Sequence, residues 1–194
     1  MLSWVETRAA AVVRARGLAR NRVGVETDEE SAARILAVAR RQLGAHAPRL
    51  PMPLCTFVTD GPDGPTARIV MPFPPTPDLA VHLATSPTST KARQVVATGK
   101  AVLVYARGSV GVTAYCHAET VDDPDERRRW WRPVMLAYWP QGLTEDYAVI
   151  RCRPYAFEVF APDAGVGPAP HGLRSGRIVL DQDRWLLDMP DDPR

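Results

Sequence analysis

The sequence predicts a mainly β, antiparallel domain of six or seven strands with a few helices inserted between them. Three observations carry this. Runs rich in β-branched and aromatic residues recur at regular intervals from residue 54 onward. Several of their connections are tight and built from Gly, Pro, Asp or Ser, so successive runs pair antiparallel. Strand and helix do not alternate as βα units, which argues against a parallel doubly wound sheet and leaves a barrel or a sandwich.

The chain of 194 residues is long enough for one domain with appended segments. Its net charge of +2 is too small to point to nucleic acid or an anionic membrane. No apolar run approaches the roughly 18 residues that span a bilayer. With no secretory leader pattern at the start, the expected compartment is the cytoplasm. Cys55, Cys116 and Cys152 are widely spaced, without a C-x-x-C pair, and read as reduced structural thiols.

Residues 1–24 hold five arginines (8, 14, 16, 20 and 22) against one acid, Glu6, and read as a helical extension. A helix follows over 28–45, with Thr27 or Asp28 as cap and Ile35, Leu36, Ala39 and Leu43 on one face. PRLPMP then ends it. LCTFVTD (54–60) and TARIVMPF (66–73) flank GPDG, a hairpin turn in which Gly64 can take positive φ. LAVHLAT (79–85) is a third strand, and TSPTSTKARQVV (85–96) carries the chain into a helix that Gly99 closes. KAVLVYAR (100–107) and GVTAYCHAETV (111–121) are strands joined tightly. DDPDERRRWWRPVMLAYW reads as one helix with Trp131, Met135 and Tyr138 on a face. AVIRCRPYAFEVF (148–160) returns to strand, APDAGVGPAP (161–170) is loop, and RIVLDQDRWLLDM (177–189) a closing hairpin.

The four histidines, His46, His82, His117 and His171, fit no metal-ligand spacing, and no nucleophile elbow, P-loop or dinucleotide fingerprint is present. No catalytic residue and no metal site is nominated. What remains is Arg68 inside a strand and the Ser/Thr-Lys helix start. Arg68 lies on a solvated face, or it faces inward and needs an anion. Ser89, Thr90 and Lys91 offer hydroxyls, a cation and free N–H groups, which serve a capped helix or a phosphate seat.

In this order, a strand Arg (ARIVM), a strand ending in Thr (LAVHLAT) and a hydroxyl loop with Lys-Ala, the chain resembles the pyridoxamine 5′-phosphate oxidase-like superfamily of FMN-binding split β-barrels. VLVYAR, GVTAYCHAETV and the Trp-rich RRRWWRPVMLAYWPQG make it most similar to the general stress protein 26-like branch. The resemblance covers about 56–160. It implies a split barrel over 51–160, with 1–50 as helical extension and 161–194 as a loop and hairpin completing the barrel. It further implies FMN, with Arg68, Ser89, Thr90 and Lys91 at its phosphate, Thr85 at the strand end, and Ile69, Val70 and Met71 beside the ring. Arg177 corresponds to a flavin-contacting arginine of the C-terminal segment. A homodimer with the flavin at the interface, and a small-molecule substrate, are implied too.

The chain departs from the oxidases themselves. Thr90 stands where they have Arg, Pro72 near a Lys, and Gly111 near a Gln. Phe160 replaces a Trp, and Leu173 and Ser175 replace the Arg and His that grip pyridoxal phosphate. The expectation is therefore a flavin-dependent oxidoreductase that is not a pyridoxamine phosphate oxidase. The alternatives are a non-catalytic FMN- or small-ligand-binding stress protein and a reductase using the deazaflavin coenzyme F420.

Overall fold

The computed structural model describes residues 26–45, 54–166 and 174–188. The extension expected over 1–24, the Pro-rich break at 48–53, His46, loop residues 167–170, His171 and Leu173 lie outside them. Helix α1 (Asp28–Leu43) opens with a capping box: Thr27 Oγ1 accepts from Glu30 N–H at 3.2 Å, and Glu30 Oε2 accepts from Thr27 N–H at 2.9 Å. It buries Ala32, Ile35, Val38, Ala39 and Leu43, with Leu36 packed at the margin. It ends at Leu43, two residues short of the expected boundary, with Gly44 as the cap.

The strands are β1 (Cys55–Gly61), β2 (Gly64–Val70), β3 (Val81–Thr85), β4 (Lys100–Arg107), β5 (Val110–Thr120), β6 (Ala148–Phe160), β7 (Gly176–Asp181) and β8 (Arg184–Leu187). Eight strands replace the expected six or seven, because the closing hairpin supplies two. The β1–β2 turn holds Gly64 at φ 102°, the conformation that GPDG requires. Helix α2 (Thr90–Thr98) lies between β3 and β4, capped by the Ser89 side chain and ended by Gly99 in the left-handed region.

All pairings are antiparallel, in the order β2-β1-β4-β5-β6-β7-β8, with β3 also on β6. Strand β6 serves two neighbours on one edge: residues 148–152 pair with β3 and 156–159 with β7. Past β2 the chain runs on beside β3, where Phe73 N–H donates to His82 O at 2.8 Å. That contact joins the two ends of the β2-β1-β4-β5-β6-β3 series into a ring, with the β7–β8 hairpin and α1 packed at its open half.

The expected Trp-rich helix is corrected to two short pieces. Helix α3 (Pro124–Arg129) stops, Arg132 turns extended (φ −132°, ψ 144°), and a 3-10 turn runs over Pro133–Ala137. Pro133 is the physical reason, since the residue before a proline is pushed out of the α region. The proposed face dissolves with it: Met135 is buried, Trp131 half-buried and Tyr138 70% exposed.

Register assigns the two faces of the barrel. Phe57 opposes both Arg68 and Leu103, and Leu103, Ala114, Phe157 and Ile178 continue that row into the main core. The neighbouring row, Ile69, Thr56, Val104, Thr113, Glu158 and Arg177, lies on the outer face. A second core covers the outside of β3 and β6 with Phe73, Val121, Met135, Tyr147 and Val149, ringed by Trp130, Trp131 and Trp139. No helix among the described residues is long and apolar enough to cross a membrane.

Leu83, 1% exposed on the inner side of β3, tests this packing. Leu83→Ala is expected to cost about 2–5 kcal/mol in urea denaturation. Val96→Ala, at a side chain 69% exposed on α2, should stay within about 0.5 kcal/mol of wild type.

Candidate functional site

Arg68 faces inward, on the same side of the sheet as the fully buried Phe57, with its guanidinium carbon 5.9 Å from that ring. Its Nη1 donates to Thr59 Oγ1 at 2.7 Å and its Nη2 to Gln94 Oε1 at 3.1 Å. No carboxylate pairs with it among the described residues. Half-burial without a counter-ion holds Arg68 below the ordinary arginine range.

Lys91 comes from the first turn of α2. It is half-buried, and burial together with the Arg68 charge holds its ammonium below the ordinary lysine value. Two cations repelling each other in a partly dry place are unfavourable unless an anion joins them. Hydroxyl and amide groups gather at the helix start that carries Lys91. Thr85, buried at the end of β3, places Oγ1 2.9 Å from Ser89 Oγ, which in turn accepts from Ala92 N–H at 3.3 Å. Ser86 Oγ and Thr88 Oγ1 lie 2.9 Å apart in the loop before the helix. Thr90 and Lys91 supply helix-start amides that no backbone carbonyl among the described residues accepts.

The remaining expected residues spread over the barrel. Thr90 is exposed, its hydroxyl 3.5 Å from Arg93 Nη2. Val70 and Met71 are half-buried beyond Arg68, while Ile69 is 68% exposed on the outer face. Arg177 is not brought to Arg68 within this chain. It lies on the outer face, 5.1 Å over the Tyr115 ring, with Nε donating to Asp188 Oδ2 at 2.8 Å.

Two constellations were missed by sequence reasoning. The first is the Thr59–Gln94 pair that holds Arg68. Its signal was the i, i+3 spacing of Lys91 and Gln94, which puts both on one side of α2. The second surrounds His82, 3% exposed and stacked on Trp130 at 4.0 Å. His82 Nε2 lies 3.7 Å from Glu126 Oε1, and Arg151 bridges Glu126 (2.7 and 2.9 Å) to Glu119 (2.7 and 2.9 Å). Burial pushes His82 down to about 4 against the attraction of Glu126.

The cysteines are free and buried, their thiols pushed up by burial, Cys55 to about 12, so they are poor nucleophiles near neutrality. Among the described residues no group of three or more His, Cys, Asp or Glu could hold a metal ion.

No family model matches the chain, and no curated protein does. Solved structures do. A protein related to general stress protein 26, of the pyridoxinephosphate oxidase family, from Clostridium acetobutylicum is 14% identical with a TM-score of 0.53, over 69% of this chain and 90% of that one. A pyridoxamine 5′-phosphate oxidase-related, FMN-binding protein from Nostoc punctiforme is 14% identical with a TM-score of 0.53, over 81% and 96%. PhzG from Burkholderia lata, in complex with tetrahydrophenazine-1-carboxylic acid, is 17% identical with a TM-score of 0.53, over 71% and 81%. What this chain shares with them is the fold.

The His82 environment sets a pH dependence. An imidazole whose folded pKa is about 4 and whose ordinary value is 6.5 takes up its proton first in the unfolded chain. Its contribution to stability is complete above pH 6.5 and is lost as pH falls from there through 4. The loss amounts to about 3 kcal/mol at 1.36 kcal/mol per pH unit. His82→Phe should flatten that part of a stability-versus-pH curve measured by denaturant unfolding.

Proposed function

We propose that the protein binds a phosphate-bearing flavin, FMN, and acts as a flavin-dependent oxidoreductase on a small molecule. One observation carries the reading: Arg68 and Lys91, both half-buried and without a carboxylate partner among the described residues, come together where a hydroxyl-rich helix start supplies Lys91. The donor set fits a phosphate monoester. Arg68 and Lys91 would supply charge-assisted bonds, Ser89 and Thr85 hydroxyls, and the Thr90 and Lys91 amides the helix-start donors. The shared fold with an FMN-binding protein supports the same reading.

A bound flavin would supply hydride chemistry at its ring, and this chain would supply placement and exclusion of water. Ile69 and Met71, leaving β2 at the exposed rim, would flank such a ring. The outer face supports pairing with a second copy: Ile69 is exposed, and Val58, Val102 and Val104 beside it are half-buried. In such a pair Arg177 would act toward the partner's flavin rather than its own.

The oxidases' second arginine is missing at Thr90, and this favours one alternative, a protein that holds FMN loosely without turning it over. Anaerobic reduction by nicotinamide dinucleotides, followed by reoxidation with candidate acceptors, separates the two.

Purified protein is expected to show the absorption bands of oxidised flavin, or to acquire them with added FMN. Arg68→Ala and Lys91→Ala should each weaken FMN binding about 10- to 100-fold, the worth of one charge-assisted bond. A colourless protein that ignores added FMN would end this reading. Sedimentation equilibrium should give twice the chain mass of 21.3 kDa, and Ile69→Asp on the outer face should shift it toward the monomer.

A further inference from the structure

Gln94 is a polar side chain on the buried side of α2, 9% exposed between Ala92 and Val95. Its Oε1 accepts from Thr59 Oγ1 at 2.6 Å and from Arg68 Nη2 at 3.1 Å, while Thr59 Oγ1 accepts from Arg68 Nη1 at 2.7 Å. The three side chains thus close a ring of hydrogen bonds. Gln94 Nε2 reaches Thr66 Oγ1 at 3.4 Å, tying the ring to β2 a second time. Gly61 makes the room: a Cβ there would collide with Nε2 and stand 3.3 Å from Cδ of the same amide.

The chemistry of this ring is unlike that around the arginines held in ion pairs, and it joins Arg68 to Arg93, Arg127 and Arg132, which neutral oxygens also hold. Arg34, Arg128, Arg151, Arg153 and Arg177 each pair with a carboxylate, on Glu26, Asp125, Glu119 and Glu126, Glu119, and Asp188. Arg68 is fixed by a hydroxyl and an amide oxygen, both neutral. A glutamate at 94 has the same length and would reach the same Nη2 as an ion pair. The amide orients the guanidinium and leaves its charge uncompensated.

We propose that Gln94 is a positioning residue of the anion seat, holding Arg68 through Thr59 with neutral oxygens so that its whole charge is kept for a phosphate monoester. This rests on the FMN-phosphate reading of Arg68 and Lys91. It makes Gln94 a determinant of selectivity for phosphorylated over unphosphorylated ligands, although Gln94 itself touches neither. The lowered proton affinities of Arg68 and Lys91 agree with a seat left unneutralised.

The test compares FMN with riboflavin, which lacks the phosphate, on wild type, Gln94→Glu, Gln94→Leu, Arg68→Ala and Lys91→Ala. Dissociation constants come from quenching of flavin fluorescence, and melting temperatures are measured without ligand. Gln94→Glu is expected to melt at or above wild type, lose FMN affinity at least 10-fold and leave riboflavin binding unchanged. Gln94→Leu should lose FMN affinity with a lower melting temperature. If Gln94→Glu binds FMN as wild type does while Arg68→Ala is impaired, the positioning role is overturned and the seat stands. Equal losses for FMN and riboflavin in Gln94→Glu would reduce Gln94 to a packing role and overturn it as well. If Arg68→Ala and Lys91→Ala both bind FMN as wild type does, the seat itself is wrong and the inference falls with it.

Discussion

Strand β6 sets the geometry that the rest of the molecule follows. Of its thirteen residues, the stretch 150–160 lies along β5 on one edge, and no single neighbour covers the other. Antiparallel β3 takes the first part of that edge and β7 the last. This division sends the end of β3 out beside the start of β6, with Thr85 opposite Ala148. The hydroxyl loop and α2 begin there, so Lys91 is delivered to the rim where β2 carries Arg68. The meeting of these two cations is a by-product of how one long strand shares its hydrogen bonds.

The second organising principle is the sorting of charge. The outer side of β6 is laced by Arg151, Arg153, Glu119 and Glu126, each cation facing a carboxylate, with His82 kept neutral beneath. Such pairs contribute little individually to stability, but together they leave that surface electrically quiet. Against this background Arg68 stands apart: it is bonded to a hydroxyl and an amide oxygen, both neutral, and shares its surroundings with a second cation, Lys91.

Much of the fold was legible in the sequence because it rests on local patterns. Alternation in β6, the cap at Thr27, the Gly99 stop and the GPDG turn act over a few residues and appear where they were expected. The Trp-rich segment misled because its acidic start and basic end outweighed Pro133, which decides the backbone. The direction of Arg68 was obscured by its apolar neighbours Ile69, Val70 and Met71. It follows from the hairpin instead: once Gly61 opposes Gly64, Phe57 must oppose Arg68, and Phe57 belongs to the core. The Thr59–Gln94 ring needs β1, β2 and α2 assembled, with partners 35 and 26 residues apart, and no local pattern announces it.

The ring of strands is joined at one place by two backbone bonds among the described residues, from Phe73 to His82 and from Thr76 to Ala80, where every other junction is a ladder. A seam with so few rungs has less to hold it closed than a full strand pair. Arg68 lies on one side of that seam, and Thr85 and Lys91 on the other. A ligand gripped by both sides would act as a clasp across that seam. Amide exchange at Phe73 would then report occupancy of a site in which Phe73 takes no part.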